Sequence, residues 1–286
     1  MIDFSENRCI KTECKDQMVC ICHGSNTCNK DVFSKIIIKM ISNEINEIKY
    51  IINNPSDAIQ NCLLSDIQFN KQIYDFIIET INKNDFKHFL NVGSHIGTIA
   101  LPVSKHISKV SCIEAYEPTY KHLNENITLN NITNITTYNF AVGNSEEEIY
   151  FMSENKICPI ENIDRIKNNS GGIHVFTQKD IDENIRSSCL TDKKIKNKMN
   201  KLDNVDIDNF DIMLVDIEGC EYNFLLGAKE KIIKNKPFII IEIWNNHKRK
   251  LENMKETRQD VIDLILSMNY ELVGSNGEDF LFRYLD

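Results

Sequence analysis

No uninterrupted apolar run in the sequence approaches the ~18 residues that a membrane-spanning helix requires, so no membrane association is expected. A cationic surplus is missing too. Lys and Arg number 33 against 42 Asp and Glu, a net charge of −9. A chain so balanced has no general electrostatic pull on phosphate backbones. Nucleic acid is therefore not an expected partner, although a local basic groove is compatible with the total. No secretory leader opens the chain, because Met1 to Cys9 is acidic and polar. A soluble, cytoplasmic protein is the expectation, and the Asn-Ile-Thr triplets at Asn126, Asn131 and Asn134 are then chance matches to a glycosylation acceptor. Paired CxxC motifs are also lacking. Five of the ten cysteines fall in the first 28 residues, at Cys9, Cys14, Cys20, Cys22 and Cys28. Their spacing does not form two such pairs, so no metal is assigned; a reduced tail is the simpler reading and structural zinc the alternative.

What is present suffices for a full core: 42% of the 286 residues are hydrophobic. Residues 31–53 carry Ile37, Ile41, Ile45, Ile48 and Ile52 at helical spacing, and Asn53-Asn54-Pro55 would end that helix. A second helix is predicted over 69–83. From residue 87 the rhythm changes. Short apolar strands at 87–92, 110–118, 136–143, 146–152, 210–219 and 237–244 alternate with helices from Thr98, over 119–130, 221–234 and 256–268. YELVGS and DFLFRYL close the chain as a pair of strands. Continuous apolar strands alternating with helices predict a mainly parallel α/β sheet covered on both faces. The division expected is a cysteine-rich tail over 1–30, a helical N-terminal extension over 31–68, and a Rossmann-like domain over 69–286. Within that domain the polar stretch 153–205 reads as an irregular insert or cap.

Such sheets bind ligands at the carboxyl ends of their strands. Three acid- or glycine-bearing segments fall there. Asn91-Val92-Gly93-Ser94-His95-Ile96-Gly97-Thr98 follows the first strand. Glycine there permits a tight turn, and the following helix points free N–H groups at a ligand. A dinucleotide fingerprint needs a second glycine where this chain has His95. The side chain obstructs a pyrophosphate but not an uncharged thioether, so the spacing favours S-adenosyl-L-methionine over NAD. Asn91, Gly93, Ser94, His95, Gly97 and Thr98 are the candidate contacts. An acid about 20 residues beyond such a turn is where a ribose diol is held. Glu117 is the choice in Glu114-Ala115-Tyr116-Glu117-Pro118, with Glu114 assigned to the strand itself. Asp216-Ile217-Glu218-Gly219 places two acids on one side of a strand end. Repulsion raises the pKa of one, which suits a base or a cation clamp; a helix N-terminus is the structural alternative. Asp216 is counted with the cofactor contacts as well.

Together these segments resemble one family. FLNVGSHIGTIALPVSK, EAYEPTYKHLNENITLNN, NFAVGNSEEEIYF and LVDIEGCEYNFLLGAKEKIIKNKPFIIIEI are similar, in order and spacing across roughly residues 70–245, to FkbM methyltransferases. The resemblance implies a class I methyltransferase fold, S-adenosyl-L-methionine over the glycine turn, and methyl transfer to oxygen on a sugar or small molecule. Val215 stands where a lysine commonly precedes the Asp-x-Glu-Gly element, so a lysine role is not carried over. A hydroxyl acceptor needs a base; Asp216, Glu218, His174 and Glu242 are the candidates. A small-molecule or glycan acceptor is expected. An NAD-dependent oxidoreductase and a non-catalytic interaction protein of the same fold are the alternatives. Residues 1–65 lie outside the resemblance and bring no convergent acids, so a chain starting near Gln68 is expected to keep its cofactor.

Overall fold

The computed structural model describes residues 12–14, 17–19, 40–42, 44–152, 170–183 and 191–285. The early cysteines other than Cys14 lie outside them, as does the helix start at 31–39. Two short antiparallel pairs come first: β1 (Thr12–Cys14) with β2 (Gln17–Val19), and β3 (Met40–Ile41) with β4 (Ile51–Ile52). The second pair replaces the end of the helix expected over 31–53. Asn46 and Glu47 both adopt positive φ, at 49° and 63°, and reverse the chain between Ile45 and Ile48. The apolar residues there are β-branched isoleucines, which favour extended backbone.

Two helices follow, α1 (Ala58–Leu64) and α2 (Lys71–Asn84). The main sheet then begins with β5 (His88–Val92), α3 (Ala100–Val103), β6 (Lys109–Ile113), α4 (Glu117–Leu129) and β7 (Ile135–Tyr138). It resumes with β12 (Ile212–Val215), α6 (Glu221–Gly227), α7 (Lys229–Asn235), β13 (Phe238–Glu242), α8 (Asn246–Leu251), α9 (Arg258–Leu266), β14 (Tyr270–Asn276) and β15 (Asp279–Tyr284). The strand order is β14-β15-β13-β12-β5-β6-β7. The five strands from β13 to β7 are parallel, and β15 runs antiparallel to β13. The chain moves from β5 outward through β6 to β7, then returns to place β12 on the other side of β5. That reversal opens a crevice at the carboxyl ends of β5 and β12, where open α/β sheets hold their ligands.

Side-chain alternation fills both faces. Leu90, Val92, Met213, Val215, Ile239 and Ile241 pack on one side with Phe224 and Leu225 of α6 and Val261 and Ile265 of α9. Phe89, Ile212, Leu214 and Ile240 pack on the other with Leu63 of α1, Ile77 of α2 and Leu123 of α4. The predicted α/β architecture is thus the observed one.

The stretch 153–205, expected to be irregular, supplies two strands that join two expected ones in a second sheet. β8 (Ala141–Val142), β9 (Glu147–Met152), β10 (Val175–Thr177) and β11 (Thr191–Asn200) pair in the order β10-β9-β11-β8, with α5 (Gln178–Asp182) beside them. The lysines of β11 hid its character. Exposed Lys196 and Lys198 alternate with half-buried Asn197 and buried Met199, the period of a strand with one wet face. Lys196 pairs with Glu148 across the ladder at 2.7 Å. Among the described residues no helix is long and apolar enough to cross a membrane.

Candidate active site

A cavity of about 280 Å³ occupies the crevice. Asn91, Gly93, Ser94, His95 and Thr98 line it from the turn after β5, and Asp216, Glu218 and Glu242 from the ends of β12 and β13. Gly93 adopts φ +80°, and a Cβ there would lie 1.8 Å from the backbone oxygen of Asp216. The glycine therefore lets the turn of β5 press against the exit of β12. Gly93→Ala is expected to destabilise the protein by about 3 kcal/mol or more, since strained φ and backbone overlap add. Urea denaturation measures this, and a loss under about 1 kcal/mol would contradict the turn geometry. Gly97 is not part of the lining; it lies behind the turn, packed under Leu101 and Leu123.

The acids after β6 divide clearly. The strand stops at Ile113, so Glu114 is the first residue beyond it and lines the cavity. Its carboxylate accepts from the backbone N–H of His95 and of Tyr116, both at 2.9 Å. Burial pushes the Glu114 pKa up to about 7, against the lowering effect of those N–H donors. Glu117 points elsewhere. It starts α4, is exposed, and pairs with Lys121 one turn on at 2.7 Å. The apolar pattern extends the strand to 118 on paper and so points to an acid that does not line the cavity. His95 itself has φ +48°, and burial pushes its pKa down to about 4, so the ring beside the turn is neutral at pH 7.

On the far side of β5, Asp216, Glu218 and Glu242 each place a carboxylate oxygen within 4.8 Å of the others. Burial, then the Glu242 charge, raises the Asp216 pKa well above the ordinary carboxylate range. The hydrogen bond between these two carboxyls and their mutual repulsion favour the protonated form of Asp216. Asp279, paired opposite Glu242 across β13 and β15, also lines the cavity; burial and then the same neighbour push its pKa to about 6. Such a set can share a proton, take one from an acceptor, or grip a cation.

Glu218 and Gly219 turn the chain through left-handed backbone, at φ 52° and 91°. Buried Glu221 secures that turn: it accepts from the Gly219 N–H at 2.7 Å and faces the Arg249 guanidinium at 3.4 Å. His174 is not in the lining itself, but its neighbours Ile173 and Val175 are. The ring sits 3.9 Å from a Glu218 oxygen and packs against Trp244, with centroids 5.4 Å apart. The second sheet thus brings His174 to the acid cluster across more than 40 positions of sequence. Among the lining residues that the motif reading missed are the acids Glu114 and Asp279 and four from before β5: Ile59, Phe69, Asn70 and Ile73.

A family model described as the methyltransferase FkbM domain matches residues 91–272, well over half of the chain. The chain belongs to the FkbM methyltransferase family. The match begins at Asn91, inside β5, so this FkbM chain carries α1, α2 and the early strands outside the matched residues. A protein of Lactobacillus johnsonii named as an uncharacterized RNA methyltransferase is 31% identical over 107 residues, which span 37% of this chain and 22% of that protein. An FkbM methyltransferase structure from Methylobacillus flagellatus superposes with a TM-score of 0.45 at 17% identity, covering 70% of this chain and 44% of that one. An SAH-bound methyltransferase structure from Podospora anserina gives 0.43 at 11% identity, covering 76% and 80%.

Proposed function

We propose that the protein transfers a methyl group from S-adenosyl-L-methionine to a hydroxyl of a small molecule or glycan. The observation that carries this is the pairing of the glycine turn with Glu114 at one cavity. The residues fit the cofactor. Gly93 lets the turn close against the exit of β12 at the cavity, and Glu114 has a carboxylate placed beside the turn for a ribose diol. The neutral His95 ring offers no cation to a pyrophosphate, which weighs against NAD. The cofactor supplies an electrophilic methyl on sulfur. The chain's own residues do the rest: the turn and Glu114 orient, and the Asp216–Glu242 pair manages a proton. An acceptor hydroxyl loses its proton as its oxygen bonds to the methyl carbon. Glu242, beside Asp216, is the base we assign, with Glu218 and His174 flanking the acceptor. Four carboxylates around one cavity disfavour a phosphate-bearing acceptor. That supports a small molecule over RNA, despite the name of the Lactobacillus protein.

Isothermal titration tests the cofactor. Adenosylhomocysteine is expected to bind and NAD not. A diol donates to the ionised form of Glu114, whose pKa in the free protein is about 7. Binding below that pH must therefore expel a proton. Affinity should rise up to about tenfold per pH unit from pH 5.5 toward 7 and level off above it. Tight NAD binding, or an adenosylhomocysteine affinity flat across that range, would overturn the assignment of Glu114.

A further inference from the structure

We propose that residues 44–70, which lie before the family-matched region, form a wall of the cofactor site and hold the cofactor's amino-acid tail. The inference rests on the cofactor reading above. This segment and the glycine turn share one core. Ile48, Tyr50, Ile52, Ile59 and Leu63 are buried in the same cluster as Ile96, Ile99, Ala100 and Leu101. Two side-chain amides tie them. Asn126 of α4, fully buried, accepts from the Ile51 N–H at 2.8 Å and donates to the Ile96 carbonyl at 3.0 Å. Gln68 donates to the Thr98 carbonyl at 2.7 Å and accepts from Asn46 at 3.1 Å. The second half of the turn, Ile96 to Thr98, is thus tied to the N-terminal segment, through Asn126 and directly by Gln68. Breaking such a bond strands a buried partner, and that is what makes the attachment firm.

The position of the wall says which part of the ligand it meets. Glu114, Tyr116, Phe140 and Val142 line the cavity on the β6 and β7 side, where a diol acceptor and a ring-sized apolar slot lie together. The adenosyl half belongs there. The wall stands on the other side of β5. Phe76 of α2 packs on Phe238 of β13, with ring centroids 5.7 Å apart, and Gln72 accepts from Asn276 at the end of β14 at 2.8 Å. Phe69, Asn70 and Ile73, at the start of the same helix, therefore sit toward β13, with Ile59 beside them in the lining. Apolar side chains with one exposed amide at the rim suit methylene groups ending in a polar amino acid. The expectation from motif positions was that residues 1–65 carry no chemistry and that a chain starting near Gln68 keeps its cofactor. On this proposal such a chain loses Ile59 and the tie to the turn through Asn126, and binds more weakly.

The test compares adenosylhomocysteine with 5′-methylthioadenosine, which lacks the tail, on the full chain. Phe69→Ala and Ile59→Ala are each expected to weaken the first ligand about tenfold and the second less than twofold. Phe69→Leu, which keeps an apolar side chain in the wall but removes the ring, carries the same comparison with an expected loss of about threefold if an alanine variant unfolds by circular dichroism. Unchanged adenosylhomocysteine affinity in folded variants would overturn the wall. Equal losses for both ligands would overturn the tail assignment. Wild-type protein that binds neither ligand would remove the cofactor reading and the wall with it.

Discussion

Glu114→Gln should weaken adenosylhomocysteine binding by about 1.5–3 kcal/mol, roughly 10- to 150-fold, the range for a hydrogen bond to a charged group. Glu117→Ala should leave it unchanged, since that side chain is exposed and engaged with Lys121. The Glu114→Gln variant is not expected to unfold the protein, and the sign of the linkage says why. The folded-state pKa of Glu114 is raised to about 7 from an ordinary carboxylate value near 4.5. The native state therefore binds the extra proton, and stability falls as pH rises between those values. Above pH 7 the ionised side chain is a burden on the fold that glutamine removes. A Glu114→Gln protein with equal or higher Tm at pH 8 and weakened ligand binding fits the assignment. A well-folded variant with wild-type affinity would return the ribose role to another residue.

The second large effect belongs to the acid pair. Glu242→Gln should lower turnover by about 10²–10⁴-fold, the usual contribution of a positioned base, with adenosylhomocysteine affinity changed less than about threefold. Asp216→Asn should cost less. Burial and Glu242 push the Asp216 carboxyl toward its neutral form, and an asparagine amide keeps that neutral shape. The two variants therefore separate the base from its partner. Equal losses would mean that both carboxyls act in the proton transfer. Near-normal turnover in Glu242→Gln would remove it from the chemistry. Single-turnover kinetics with an identified acceptor is the measurement, because it reads the methyl transfer apart from product release.

The main sheet was legible in the sequence because buried parallel strands read as apolar runs whatever lies around them. Ile212–Val215 and Phe238–Glu242 could be placed from their side chains alone. Strand ends were less legible. A shift from the expected end at Pro118 to the observed one at Ile113 moves the cavity-facing acid from Glu117 to Glu114. Ala115 and Tyr116 are apolar enough to continue a strand on paper; the fold ends it because Glu114 captures the N–H of Tyr116. The second sheet was hidden for a different reason. One face of β11 is wet and lysine-rich, and its partner β9 lies some 40 residues earlier, so no local pattern announces the pairing. The role of Ile59 and Phe69 had no motif at all, since an apolar wall is defined by what it faces.

Trp244 is the protein's only tryptophan. Its ring is fully buried where three parts of the site meet: Gly219 below it, the His174 ring at 5.4 Å, and the Lys248 ammonium 3.5 Å from its centroid. Indole emission responds to charge placed against the ring, and Lys248, whose ammonium lies over it, also reaches Glu218. The molecule therefore carries its own optical label at the acceptor end. Compounds screened as acceptors can be followed by the colour and intensity of a single native fluorophore, before any methylated product has been identified.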